Sequence, residues 1–155
     1  MAVSTDAAAL IRLGDTMNEE DAIQIAAASL LNSLRILWTH VPNGEKRPPG
    51  VGRKLKRMGV SRGVPDVLCF DVTLDGEVGF ALEIKTARGR VSPHQEEWLE
   101  GLEARGWRTR TAYGIDEALC EIRAAYGNTP RPRVVVDVVG EECEDGLIDS
   151  LFGDQ

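Results

Sequence analysis

Apolar residues recur at helical spacing early in the chain. Ile23, Ala27, Leu30, Leu31 and Leu34 share one face of a helix expected from about Asn18 to Asn32. Asn18 can cap it, and Glu19, Glu20 and Asp21 suit the positive end of its dipole. Ile36 to His40 reads as a short strand ended by Pro42-Asn43-Gly44. Lys54 to Met58 reads as one or two helical turns. Asp66 to Phe70 then reads as a buried strand, Asp75-Gly76 as a two-residue hairpin turn, and Glu77 to Lys85 as the returning strand. Ser92, Pro93 and Gln95 open the next helix, with Ser92 and Gln95 forming a capping box. Trp98, Leu99 and Leu102 give that helix its apolar face, and Gly106 ends it. Trp107 to Tyr113 reads as a strand, Asp116 to Ala125 as a helix, and Val134 to Val139 as a last strand. The order α-β-β-β-α-β-α predicts one α/β domain, a mixed sheet flanked by helices. An arm (1–17) precedes this domain (18–127), and an acidic extension (128–155) follows it.

The 155 residues suffice for one buried core. No run of about 18 uncharged apolar residues exists to cross a membrane. The N-terminus lacks the basic start and long apolar stretch of a signal peptide, so the expected compartment is the cytoplasm, the nucleoid or a viral host's cytoplasm. Cys69, Cys120 and Cys143 are widely spaced, and the only histidines, His40 and His94, lie far from them. The cysteines read as buried or incidental thiols, not a zinc site.

The net charge of -7 argues against a polyanionic partner, but its distribution reverses that reading. Residues 46 to 62 carry Lys46, Arg47, Arg53, Lys54, Lys56, Arg57 and Arg62 and no acid. Residues 137 to 154 carry seven acids and no base. A basic block of this kind can hold nucleic-acid phosphates.

The hairpin carries the chemistry. With Asp75-Gly76 as the loop, Leu74 pairs with Glu77, Leu68 with Glu83, and Asp66 with Lys85. Strand alternation then sends Asp66, Glu83 and Lys85 to one face of the sheet. Asp66 and Glu83 become diagonal neighbours with Cβ atoms roughly 7 Å apart. Two such carboxylates can reach one cation, and hard oxygen ligands suit Mg²⁺ or Mn²⁺. Such an ion binds a phosphate oxygen and lowers the pKa of a water, while a neighbouring lysine holds that water or offsets phosphate charge.

Pro65-Asp66, sixteen residues, and Glu83-Ile84-Lys85 resemble the PD-(D/E)xK nuclease signature. More of the chain resembles one branch, the VRR-NUC (virus-type replication-repair nuclease) module. The resembling features are Glu20-x-x-Ile23-Gln24, His40-x-Pro42-Asn43, Gly63-Val64-Pro65-Asp66, Glu83-x-Lys85, and Ser92-x-His94-Gln95 followed by Trp98. They cover about residues 18 to 114, and the tail from about 129 lies outside them. The resemblance implies a restriction-endonuclease-like core of α-β-β-β-α-β order. It implies Asp66, Glu83 and the Ile84 carbonyl as metal ligands and Lys85 as the catalytic lysine. An acid of the first helix would orient a water or a second metal. Glu20 matches by motif, although helical geometry does not choose between Glu19 and Glu20. Gln95 matches the family's glutamine. The resemblance also implies a homodimer and branched or junction DNA as substrate.

Each feature has a plainer reading beside this one. Asp66 and Lys85 could form an ordinary cross-strand ion pair. Glu20 and Gln95 could serve only their helix starts. His40 reads as structural or as a phosphate contact, Asn43 as a turn residue or a contact, and Trp98 and Trp107 as core. Gly59-Val60-Ser61-Arg62-Gly63 matches GxSxG but lacks the strand-before, helix-after setting of a nucleophile elbow. Gly50-Val51-Gly52-Arg53-Lys54 lacks P-loop spacing, so no nucleotide cofactor is expected. The sequence therefore predicts a Mg²⁺- or Mn²⁺-dependent DNA nuclease. The alternatives are a non-catalytic module that binds DNA or a repair partner, and an RNA-directed nuclease.

Overall fold

The computed structural model describes residues 18–42 and 50–132. The arm 1–17, Asn43, Lys46, Arg47, the strand expected at 134–139 and the acidic tail lie outside these residues.

The first helix, α1, spans Glu19–Ser33. Asn18 accepts the Asp21 N–H at 2.9 Å while the Asp21 carboxylate accepts the Asn18 N–H at 3.3 Å, so two otherwise unpaired donors are satisfied together. The helix ends with Arg35 at φ +57, where a glycine is usual. Strand β1 (Trp38–His40) follows. A short helix, α2 (Val51–Arg57), buries none of its residues. Strands β2 (Val67–Cys69) and β3 (Phe80–Lys85) lead to helix α3 (Pro93–Glu103). Ser92 and Gln95 make the expected capping box at its start. Strand β4 (Arg108–Tyr113) and helix α4 (Ile115–Tyr126) complete the domain.

The four strands lie in the order β1-β2-β3-β4, antiparallel except for the parallel β3–β4 pair. A sheet of this mixed kind, covered by helices, is the expected α/β architecture. Ile23, Ala27 and Leu31 of α1 meet Ala118, Ile122 and Ala125 of α4 over Val67, Cys69, Phe80, Leu82, Ile84 and Ala112. That is the apolar core. Helix α3 packs against β3 and β4. Among the described residues, no helix is long and apolar enough to cross a membrane.

The hairpin differs from its expected register. Val67 pairs with Leu82 and Cys69 with Phe80, two residues away from the pairing that a two-residue turn would set. The Asp75-Gly76 turn forms, with Gly76 at φ +91, but Thr73 and Glu77 close it around three residues. The segments on either side bond elsewhere. The Leu74 N–H donates to Ala125 and the Val78 N–H to Gly106, at 2.8 and 3.0 Å. A shift of two residues preserves the alternation of side chains, so the face assignment survives. Continued by one step, the observed register sets Asp66 directly beside Glu83.

The two tryptophans expected in the core, Trp98 and Trp107, are half-buried. Trp107 packs edge-on against Phe70, with ring centroids 6.0 Å apart. Cys69 is buried, and burial pushes its thiol up to about 12. Cys120 is an exposed free thiol.

Candidate active site

Glu83 lies mid-strand on β3, and its side chain is fully buried on the face covered by α3. A buried carboxylate needs partners. One oxygen, Oε1, has two: the Lys85 ammonium and the Gln95 amide, which both donate to it. The other, Oε2, is buried without a hydrogen-bond partner among the described residues. Burial pushes the Glu83 carboxyl up to about 7, opposed by the hydrogen bond from Lys85 and reinforced by the neighbouring Asp66 charge.

The loop before β2 delivers Asp66. Its Oδ2 accepts the Ile84 N–H at 2.8 Å, which fixes the carboxylate against the strand that carries Glu83. Its backbone carbonyl accepts the Val41 N–H at 2.9 Å and lies 2.9 Å from His40 Nδ1. His40 thus braces the Asp66 backbone. Gly63 explains the approach of this loop to α3. It sits at φ +79, and a Cβ there would lie 2.4 Å from the His94 carbonyl carbon. Only glycine suits both the backbone angle and the space. Pro65, fully buried, anchors the turn into Asp66.

Lys85 is 8% exposed, with its ammonium on Glu83. Gly89 closes over its stem; a Cβ at Gly89 would approach Lys85 Cδ to 3.0 Å. Gln95 makes both of its alternative contacts. Its Oε1 accepts the Ser92 N–H at 2.8 Å as helix cap, and its Nε2 donates to Glu83.

Glu20 and Glu19 lie exposed in the first turn of α1. Among the described residues, no three His, Cys, Asp or Glu side chains gather to hold a metal ion. The structure therefore joins Asp66, Glu83, Lys85 and Gln95, and leaves the acids of α1 outside that group. Arg53, Lys54 and Arg57, with Gly50 and Met58, line a cavity of about 550 Å³ on α2. Lys56 and Arg62 are also exposed. This cationic element leads through the 58–65 loop into Asp66. Arg88 and Arg90, exposed on the turn after Lys85, and Tyr113 on β4 flank the group as well. The sequence offers no reason to select Tyr113, because the β3–β4 pairing is not visible in it; the closeness of Arg88 and Arg90 to Lys85 along the chain is the signal that could have found them.

The VRR-NUC domain family model matches residues 18–145. The chain belongs to the VRR-NUC domain family. The match runs beyond residue 114, where the motif resemblance stops, and takes in part of the tail expected to lie outside it. A solved structure titled "VRR_NUC domain protein" is similar over 75% of this chain and 94% of that one, with a TM-score of 0.60 and 25% identity. Among curated proteins, none matches. The family is of nuclease type, and the mixed sheet flanked by helices agrees with its fold.

The donor set fits a hard divalent cation. Two adjacent carboxylates share one ammonium, Lys85, and one carboxylate oxygen is buried with no hydrogen-bond partner among the described residues, so a cation would balance the remaining negative charge. Asp66 and Glu83 are the side chains that would hold it.

Proposed function

We propose that this VRR-NUC domain is a Mg²⁺- or Mn²⁺-dependent nuclease that hydrolyses DNA phosphodiester bonds, with branched or junction DNA as its substrate. The observation that carries this reading is the buried Glu83 carboxylate. One of its oxygens is held by Lys85 and Gln95, and the other has no hydrogen-bond partner among the described residues, with Asp66 beside the carboxylate. Asp66, Glu83 and the Ile84 carbonyl hold the metal. When bound, the ion supplies a phosphate contact and a more acidic water. Lys85, whose ammonium lies on Glu83, assists the water and offsets charge on the phosphate. Gln95 fixes the orientation of Glu83. Arg53, Lys54, Lys56, Arg57 and Arg62 hold the polyanion through its phosphates, which positions it without reading sequence. The family resemblance supports a homodimer acting on a junction.

A second reading is favoured by one observation: among the described residues no third acid joins Asp66 and Glu83 in a group that could hold a metal ion. On that reading the domain binds DNA without cutting it. Supercoiled plasmid and a labelled four-way junction, incubated with Mg²⁺, Mn²⁺ or EDTA, separate the two. Metal-dependent cutting is expected, falling at least about a hundredfold in Asp66→Asn and in Lys85→Ala. DNA binding by wild type without cutting in either metal would establish the second reading. An RNA junction beside the DNA one tests the choice of sugar.

A further inference from the structure

The parallel pairing of β3 and β4 brings an aromatic ring to the catalytic face. Glu83 lies beside Thr111, and Lys85 beside Tyr113. Paired residues of a parallel ladder project to the same side of a sheet. Ala112, between them, belongs to the apolar core on the opposite side. The Tyr113 side chain therefore leaves the sheet on the side of Lys85, one strand spacing or about 4.8 Å away. It is 43% exposed. Its backbone is tightly held all the same. The Tyr113 N–H donates to the Glu117 carboxylate at 2.8 Å, and the Gly114 N–H donates to the Lys85 carbonyl at 3.1 Å. The end of β4 is thus tied to the end of β3, and an exposed ring on a held backbone stands at the edge of the site. On the other side of Lys85, the Thr86–Gly89 turn closes with a 2.9 Å hydrogen bond and carries exposed Arg88, with exposed Arg90 just beyond.

We propose that Tyr113 is a base-stacking platform beside the scissile phosphate, with Arg88 and Arg90 contacting phosphates of the same strand. The inference rests on the nuclease reading above and names its substrate class: DNA with an unpaired nucleotide at the cut. The reason is geometric. In a duplex both faces of a base are covered by its neighbours, so a ring can stack only on a base that has left the helix or was never paired. A gap, a flap or a branch point presents such a base. None of these residues belongs to the metal-holding group.

The test is binding of the full chain, with Ca²⁺ in place of Mg²⁺, to two labelled oligonucleotides. One is fully paired and the other carries a short single-stranded gap. Tyr113→Ala is expected to weaken binding to the gapped DNA about tenfold and to the paired DNA less than twofold. Tyr113→Phe keeps the ring and is expected to bind as wild type does. Arg88→Ala with Arg90→Ala is expected to weaken both substrates and to flatten the salt dependence. Equal losses on the two DNAs, or no loss in Tyr113→Ala, would overturn the platform. Should Tyr113→Ala fail to fold, photo-crosslinking of wild type to 5-iodouracil in the gap decides. A crosslink at Tyr113 supports the proposal, and crosslinks only elsewhere overturn it. Failure of the nuclease reading would show separately, as wild type that binds and never cuts.

Discussion

The two faces of β3 share one strand and one degree of burial but hold opposite chemistry. Phe80, Leu82 and Ile84 point into the core between the sheet and helices α1 and α4. Ala81, Glu83 and Lys85, equally buried, point the other way, toward α3. On the first face burial stabilises the fold, at about 25 cal/mol per Å² of apolar surface. On the second it has a cost, because a carboxylate and an ammonium leave water for one ion pair, and one carboxylate oxygen has no hydrogen-bond partner among the described residues. A chain that only needed to fold would gain by placing apolar residues on both faces. The difference teaches that the α3 face is kept charged at the expense of stability.

The largest effect that tests this comparison lies on the apolar face. Leu82→Ala is expected to lower unfolding stability by about 2–5 kcal/mol, measured by urea denaturation. Cutting per folded molecule should persist, since the side chain points away from Glu83. A loss of activity with little loss of stability would mean that the faces are not separable.

The two faces were not equally legible in the sequence. Face membership was, because alternation along Asp66–Phe70 and Phe80–Lys85 depends only on parity, and the true register moved by two residues. The register itself was not. Asp75-Gly76 signals a tight turn, but Leu74 and Val78 are claimed by Ala125 and Gly106, distant in sequence. The Gly63-Val64-Pro65-Asp66 motif was legible as a motif and its reason was not, since the His94 carbonyl that excludes a Cβ comes from another element. The sequence leaves Gln95 either a cap or a site residue, and in the structure it makes both contacts. Tyr113 is not legible in the sequence because only the β3–β4 pairing sets it beside Lys85, whereas Arg88 and Arg90 follow Lys85 directly along the chain. Glu20 shows the converse: a motif position that the fold leaves in the exposed first turn of α1.

A smaller effect sharpens the cost of the charged face. In EDTA the folded Glu83 carboxyl titrates near 7, above its ordinary value of 4.5. Between those values the folded state keeps a proton that the unfolded state has released. Stability should therefore be fully present below about 4.5 and fall as pH rises through 7, by at most about 1.4 kcal/mol per pH unit. Glu83→Gln carries no titrating group there and should flatten that slope. Melting curves at several pH values would read it, and an identical slope in both proteins would show that Glu83 is not costly to ionise in place.

The smallest effect concerns Gln95, where the two faces of one side chain can be uncoupled. Gln95→Ala removes the acceptor for the Ser92 N–H and the donor to Glu83 together, so its cost of about 1 kcal/mol mixes capping with site geometry. Gln95→Glu keeps the cap, because a carboxylate at that position still accepts the Ser92 N–H. It replaces the amide donor with a third carboxylate against Glu83 and Asp66. In EDTA the variant should melt below wild type, since like charges are then crowded in a buried site. Added Mg²⁺ or Mn²⁺ should raise its melting temperature by more than it raises that of wild type, because a ligand that binds only the folded state stabilises it in proportion to affinity. An equal rise in both proteins would mean that position 95 touches the cation's surroundings only as a helix cap, and the charged face would then reduce to Asp66, Glu83 and Lys85.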